Sequence, residues 1–160
     1  MIFVGIDPGL TGAVAAVDSA GTCAVEDLPT VQLPGSGLVR RRVDGLALAK
    51  MLRHMVPIGH ACLVVIEDVI ALGGKNNAVQ TQGSIMRSVG TIEAAVEILR
   101  MPVKRAQPRT WKKFYGLGAE KGASLAIARE LYPLAPLGLA KHHNRAEALL
   151  LAHYGQARLA

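Results

Sequence analysis

The chain has 160 residues, 51% of them hydrophobic, and a mean hydropathy of +0.30, so we expect one compact domain over residues 1–160. Its net charge of +6 and pI near 9.7 favour a polyanionic partner such as nucleic acid over an acidic small molecule. Cys23 and Cys62 lack C-x-x-C spacing and predict free thiols rather than a disulfide or zinc site. No apolar stretch reaches the ~20 residues of a membrane helix. The N-terminal residues lack the basic region of a signal peptide, and Asp7 would interrupt its apolar part. We therefore expect a cytoplasmic protein without a membrane partner.

The N-terminal part predicts a meander of strands. Residues 2–7, 12–17 and 22–26 have strand composition, with turn chemistry before the third. The prolines and glycines of residues 28–42 predict a loop that ends in three arginines. Apolar residues at helical spacing predict a helix over 44–55.

The central part predicts a buried strand and a long helix. The strand covers residues 62–66, and a polar, glycine-bearing loop follows at 73–77. Residues 79–99 carry apolar side chains at alternating spacings of four and three, which predicts one continuous apolar helix face. Gly83 and Gly90 lie on another part of this helix, where they would allow a second helix to approach closely.

The C-terminal part predicts mainly helices. A short strand at 102–106 precedes a helical turn that Pro108 opens, and helices follow at 119–131 and 144–156. The order of these elements predicts an α/β fold with a mixed central sheet of about five strands, flanked by helices.

Three carboxylates stand at the ends of apolar elements. Asp7 closes the first strand, Glu67 closes the buried strand, and Glu147 lies on the last helix. Each of these residues alone could be an ordinary turn or surface residue. Together they are notable, because buried carboxylates are costly unless they are paired or bound to metal. If the first and fourth strands are parallel neighbours, Asp7 and Glu67 leave the sheet at the same edge, where open α/β sheets place their ligands.

The chemistry of these residues predicts a divalent-metal site. Oxygen ligands without cysteine select Mg²⁺ or Mn²⁺, and two ions ~4 Å apart can activate water and stabilise a leaving oxygen at phosphorus. Asp7 is the natural ligand shared by both ions, with Glu67 and Glu147 each completing one side. His143 and Asn144 precede Glu147 by four and three residues, so all three side chains can lie on one face of the last helix. His143 could move a proton or orient the water.

Basic side chains are spread over several predicted loops and turns. Each alone is most simply a solvated surface charge, but together they suit phosphate contacts. The candidate DNA-binding residues are Arg40, Arg41, Arg42, Lys75, Lys104, Arg105, Arg109, Lys112, Lys113 and Lys121. Trp111 and Phe114 are more simply core residues than base-stacking platforms, because only 4% of the chain is aromatic.

The motifs at residues 5–9, 65–67 and 143–152 resemble those of RuvC-type Holliday junction resolvases of the ribonuclease H-like superfamily, and residues 108–113 are similar to phage-borne and plastid members. The resemblance implies a ribonuclease H-like fold, a homodimer, and paired metal-dependent nicks placed symmetrically across a four-way DNA junction. It also implies that Asp7, Glu67 and Glu147 are the family acids. Many relatives carry a further acid where this chain has Asn144, and some use a nearby histidine. The resemblance therefore implies a fourth metal-ligand position, for which Asn144 and His143 compete.

Other functions stay open at this point. One is a ribonuclease H-like nuclease that acts on RNA or hybrids, and another is a noncatalytic junction-binding protein in which Asn144 marks a decayed site. A sugar-kinase or actin-like phosphotransferase shares the first loop pattern, but this chain is too short for that two-lobed fold. The candidate dimer interface is the long helix with Gly83 and Gly90, although the same helix could simply face the core.

Overall fold

The structure is a computed structural model and describes residues 1–34, 41–69, 79–118, 120 and 122–160. The predictions for Arg40, Lys75, Lys121 and the loop at 73–77 lie outside these residues. Within them the strands are β1 (Ile2–Ile6), β2 (Ala13–Asp18), β3 (Cys23–Asp27), β4 (Thr30–Gln32), β5 (Arg41–Val43), β6 (Cys62–Glu67) and β7 (Val103–Ala106). The helices are α1 (Gly45–Met55), α2 (Val79–Ile98), α3 (Pro108–Phe114), α4 (Ala123–Leu131) and α5 (His143–Arg158), and a 3₁₀ turn at Ala140–His142 precedes α5.

The main sheet has five strands in the order β3-β2-β1-β6-β7. The first three strands form an antiparallel meander, while β6 runs parallel to both β1 and β7. The prediction of a mixed sheet of about five strands is therefore confirmed. The parallel pairing of β1 with β6, on which the proposed metal site depends, is also present.

Alternation along the strands separates two cores, one on each face of the sheet. Phe3 and Val65 point to the face covered by α3, α4 and α5, whereas Val4 and Ile66 point to the face covered by α1 and α2. Strands buried on both faces explain why β1 and β6 are continuous apolar runs in the sequence. The buried side of α2, with Ile92 as its centre, belongs to the second core.

Local signals set the ends of several helices. Asp44 caps α1 by accepting hydrogen bonds from the backbone amides of Leu46 and Ala47, both at 3.1 Å. Pro108 occupies the first turn of α3, as predicted. The helix predicted from residue 119 begins instead at Ala123, because Gly122 has a left-handed φ of 96° that no helix can include.

The prediction of a continuous loop over residues 28–42 is wrong in part. Strands β4 and β5 form an antiparallel two-stranded ribbon, and Val31 pairs with Arg42. Pro29 directly precedes β4, and Arg41 and Arg42 of the predicted loop belong to β5. A ribbon of three residues a strand is too short for a clear alternation in the sequence.

Among the described residues, none of the helices combines the length and the apolar character needed to cross a membrane.

Candidate active site

Asp7 and Glu67 lie side by side at the carboxyl edge of the parallel strands. Ile6 pairs with Ile66 in the register of β1 and β6, so the next residue of each strand falls in one row. Phe3 and Val65 share the face covered by α5, and two-residue alternation places Asp7 and Glu67 on that same face. The sheet therefore presents both carboxylates towards α5.

Helix α5 brings Glu147 to this edge because it packs directly on the backbone of β1. A Cβ on Gly5 would overlap the carbonyl oxygen of Ala148 and the amide nitrogen of Ala152, so only glycine allows this approach. Glu147, the neighbour of Ala148, consequently lies close enough for its charge to raise the pKa of both Asp7 and Glu67. The three predicted acids are therefore brought together.

Asp7 is half-buried at the start of a tight loop. Its Oδ1 accepts a hydrogen bond from the amide of Gly9 at 3.2 Å, which favours the charged form. Loss of water nevertheless dominates and, together with the charge of Glu147, raises the pKa of Asp7 to about 6. A carboxylate in this environment gains from a nearby cation.

Glu67 is held by the indole of Trp111. The Nε1 of Trp111 donates a hydrogen bond of 3.1 Å to Oε1 of Glu67. Burial raises the pKa of Glu67, and the charges of Asp7 and Glu147 raise it further, whereas Lys112 and the indole lower it. Trp111 is fully buried, which confirms its prediction as a core residue and adds a polar contact to it.

Glu147 is held by an ammonium and a hydroxyl. The Nζ of Lys112 lies 3.3 Å from Oε1 and 3.2 Å from Oε2, and the hydroxyl of Ser124 donates to Oε1 at 3.2 Å. Helices α3 and α4 thus each contribute one partner to the acid of α5. Lys112, predicted to contact phosphate, lies inside the carboxylate cluster.

An open cleft of about 650 Å³ leads to Glu147. His143 and Lys112 line it beside that acid, and Leu117 and Leu125 supply apolar wall. His143 is exposed, at the first position of α5. Its imidazole therefore borders the same open space as Glu147.

Asn144 contacts the first loop of the chain. Its Nδ2 donates to the carbonyl oxygen of Thr11 and, at 3.1 Å, to the hydroxyl of Thr11. These bonds tie the start of α5 to the loop that follows Asp7. The structure thus places Asn144 against the loop after Asp7, with its amide nitrogen directed at Thr11.

Several predicted DNA-binding residues are exposed. Arg109 and Lys113 lie on α3 and line a second cleft of about 520 Å³, which shares Lys112 with the first. Arg41 and Arg42 are exposed on the ribbon, and Lys104 is exposed on β7.

Arg105 differs from these residues because its guanidinium pairs with carboxylates. It lies 3.1 Å from Asp68 and also contacts Glu93 of α2. Asp68 follows Glu67 and points to the opposite face, as its place in the strand predicts. Arg105 is accordingly less suited to a phosphate contact than Arg109 or Lys113.

The carboxylate cluster suits a hard cation in composition, although its side chains are not arranged around one. Asp7, Glu67 and Glu147 offer only oxygen donors, and burial and mutual repulsion disfavour the charged forms of the first two. Within the described ranges, however, no three His, Cys, Asp or Glu side chains are gathered so that they could hold a metal ion.

Sequence reasoning did not assign Trp111, Lys112 and Ser124 to this cluster. The signal for Trp111 was available, because a buried indole N–H needs an acceptor and this is the only tryptophan of the chain. Nothing in the sequence distinguishes Lys112 from Lys113, or marks Ser124 within its apolar helix. Their contacts depend on how α3 and α4 pack against α5.

Structural comparison finds the same fold in RuvC of Thermus thermophilus. One RuvC structure superposes with a TM-score of 0.56 at 19% identity, covering 98% of this chain and 96% of the other. A second, of T. thermophilus RuvC in complex with a Holliday junction substrate, gives a TM-score of 0.62 at 16% identity, with 99% and 97% covered. No protein-family model and no curated protein sequence matches this chain. The chain has the ribonuclease H-like fold of RuvC, as the motifs predicted.

Proposed function

We propose that this protein is a metal-dependent, structure-selective DNA endonuclease that resolves four-way junctions by paired symmetric nicks. The observation that carries the proposal is the convergence of Asp7, Glu67 and Glu147 at one sheet edge. Support comes from the fold, which is shared over nearly the whole chain with a RuvC whose structure contains a Holliday junction substrate. Carboxylates that repel one another and lose water are costly for the fold, so a function that requires them explains their presence at one site.

The three acids are the proposed ligands of Mg²⁺ or Mn²⁺. Asp7 is the proposed ligand shared by both ions, because it follows β1 beside Glu67 and its pKa responds to the charge of Glu147. Bound divalent ions would supply an activated water and stabilise the leaving oxygen. Asn144 would complete the ligand set from the first turn of α5, and His143 would orient water or move a proton from the cleft wall.

The DNA backbone would bind the exposed basic side chains of α3 and of the β4–β5 ribbon. Arg109 and Lys113 are exposed on the helix that also carries Lys112, so phosphates bound there lie next to the acids. Arg41 and Arg42 extend the basic surface from the ribbon, and the net charge of +6 supports a polyanionic substrate. Two nicks across a two-fold junction require two such sites, which a homodimer would supply.

The test is cleavage of labelled four-way junction, linear duplex and RNA/DNA hybrid, with and without Mg²⁺. We expect symmetric nicks in the junction alone and only with the metal. Asp7→Asn and Glu67→Gln should each abolish cleavage while junction binding persists. Asp68→Asn is the matched control, because this neighbouring carboxylate points to the other face, and it should retain cleavage. Cleavage by either site variant would refute the assigned roles.

Two other outcomes would select a different function. Preferential cutting of the hybrid would indicate a nuclease that acts on RNA. Junction binding without metal-dependent nicks in the wild-type protein would indicate a noncatalytic junction-binding protein.

His143 gives a separate prediction. His143→Ala should slow cleavage and change its pH profile, since the exposed imidazole borders the cleft beside Glu147. Single-turnover rates measured across pH test this. A profile that matches the wild type would make His143 an ordinary surface residue.

A further inference from the structure

An ammonium group stands among the carboxylates. The Nζ of Lys112 contacts both oxygens of Glu147, and the pair is shielded, with side-chain exposures of 34% for Lys112 and 21% for Glu147. The charge of Lys112 also lowers the pKa of Asp7 and Glu67, against the effect of burial. One lysine therefore acts on all three acids.

Lys112 engages the carboxylate of Glu147. In the described part of the chain no three potential ligands are gathered around a metal position, while Glu147 directs both its oxygens to Lys112. A cation that binds Glu147 through either oxygen must compete with this bond. Two positive charges cannot share the carboxylate at close range without repulsion.

We propose that Lys112 is the resident counter-cation of the carboxylate cluster and that it competes with the divalent ion for Glu147, so that it sets the metal affinity of the site. The inference rests on the proposed function, because it takes the cluster to be a metal site. Displacement of the ammonium would free it for a phosphate in the adjoining cleft, whose wall it already forms with Arg109 and Lys113.

The surroundings of Lys112 allow its side chain to move while its helix stays in place. Tyr115 anchors the end of α3 to α5, because its hydroxyl donates to the carbonyl oxygen of Leu150 at 2.9 Å and contacts Nδ1 of His153 at 2.7 Å. The Nζ of Lys112 also lies 5.1 Å from the centre of the Trp111 ring, a weaker contact for a cation. A lysine with a flexible four-carbon stem can exchange such partners more readily than a planar guanidinium.

The experiment measures Mn²⁺ affinity without DNA, in the full-length protein. Calorimetry gives the dissociation constant, and the fluorescence of Trp111 reports binding at the site, since this single tryptophan donates to Glu67. Lys112→Gln should bind Mn²⁺ about 3- to 10-fold more tightly than the wild type, the range expected when a partly shielded ion pair is removed. Lys112→Arg should bind it no more tightly than the wild type, because a guanidinium can hold the carboxylate through two parallel bonds.

Lys113→Gln is the matched control, since it removes the same charge from the next position of the same helix. Its Mn²⁺ affinity should stay within about twofold of the wild type, because Lys113 is exposed and solvent screens its charge. Equal affinities of Lys112→Gln and Lys113→Gln would overturn the inference and leave the proposed function intact. If Lys112→Gln does not fold, tighter binding by Lys112→Arg than by the wild type overturns it as well. Failure of the folded wild type to bind Mn²⁺ would instead refute the proposed function.

Discussion

Asp7 lies in surroundings that disfavour its charged form. Burial and the charge of Glu147 outweigh the amide of Gly9 and the ammonium of Lys112, so its pKa rises from 3.8 to about 6. The folded protein therefore binds this proton more tightly than the unfolded chain. The resulting stabilisation is fully present below pH 3.8 and is lost as the pH rises through about 6.

Asp7→Asn should consequently stabilise the metal-free protein at neutral pH while it abolishes cleavage. The amide keeps the shape of the carboxylate and carries no charge, so at pH 7.5 we expect a gain of about 1–3 kcal/mol, or roughly 2–10 °C in Tm. Thermal unfolding in chelator across pH 4 to 8 measures the difference between variant and wild type.

The difference should shrink towards pH 4, where the aspartic acid of the folded protein is also neutral. Comparison of the two proteins at each pH removes the contribution of other titrating groups. A variant less stable than the wild type at pH 7.5 would show that the charge of Asp7 is already well compensated.

Among the helices, the contact of α5 with β1 determines where the acids stand. Glycines on both elements allow this contact: Gly5 faces the backbone of α5, and a Cβ on Gly155 would lie 2.7 Å from Cγ2 of Val65. The approach is closest near Ala148, the residue after Glu147. The distance between α5 and the sheet therefore determines how far Glu147 stands from Asp7 and Glu67.

Gly5→Ala should damage both stability and activity. Its Cβ would overlap backbone atoms of α5, which cannot rotate away, so α5 must shift; we expect a loss of about 3 kcal/mol or more. Chemical denaturation and junction cleavage measure the two effects. Cleavage should fall by more than the unfolded fraction explains, because Glu147 moves away from Asp7.

Gly138→Ala is the matched glycine substitution, because Gly138 lies outside the helix surface proposed for dimerisation. Among the described residues, nothing beyond its chain neighbours lies within 4 Å of the added Cβ, and Gly138 does not have a positive φ, so this variant should stay within about 0.5 kcal/mol of the wild type. Equal stability of Gly5→Ala and the wild type would contradict the tight packing of α5 on β1.

The outward side of α2 is the surface that we propose for dimerisation. Gly83 and Gly90 contact nothing within 4 Å of an added Cβ, so the described residues do not use them for packing inside the molecule. Ile98 and Leu46 are 79% and 68% exposed beside a groove of about 590 Å³ between α1 and α2. The inner side of the same helix packs in the core, so α2 can serve both purposes.

Ile98→Asp should therefore convert the proposed dimer into a monomer. A buried, unpaired charge in an apolar interface is costly, and a single active site cannot place two coordinated nicks. Light scattering gives the mass, and a cruciform plasmid distinguishes single nicks from paired ones. Leu134→Asp is the control, because Leu134 is 98% exposed in the loop after α4, on the other side of the sheet, and its mass should match the wild type. A monomeric wild type would refute the dimer.

Local patterns account for what could be predicted of the fold and the acids. Apolar runs and helical spacing are set by each residue's own neighbours in the chain, so they predicted the five-stranded sheet, the helices of 44–55 and 79–99, and the position of Asp7 and Glu67 at strand ends. The ribbon β4–β5 was missed because its strands are too short to show a period. The start of α4 was placed too early because the conformation of Gly122 depends on its surroundings.

By itself the sequence placed two carboxylates at the ends of buried strands and a third on the last helix. The sheet edge that Asp7 and Glu67 share depends on the parallel pairing of β1 with β6, which the structure supplies. Only the tertiary structure decided which side chains neutralise them. Lys112 and Glu147 are 35 residues apart, and Trp111 and Glu67 are 44 apart. Pairs so distant in the chain come into contact only when α3, β6 and α5 pack together. Local sequence patterns carry no information about this packing. For this reason the sequence predicts Lys112 on the DNA surface, whereas the structure places its ammonium on the carboxylate of Glu147.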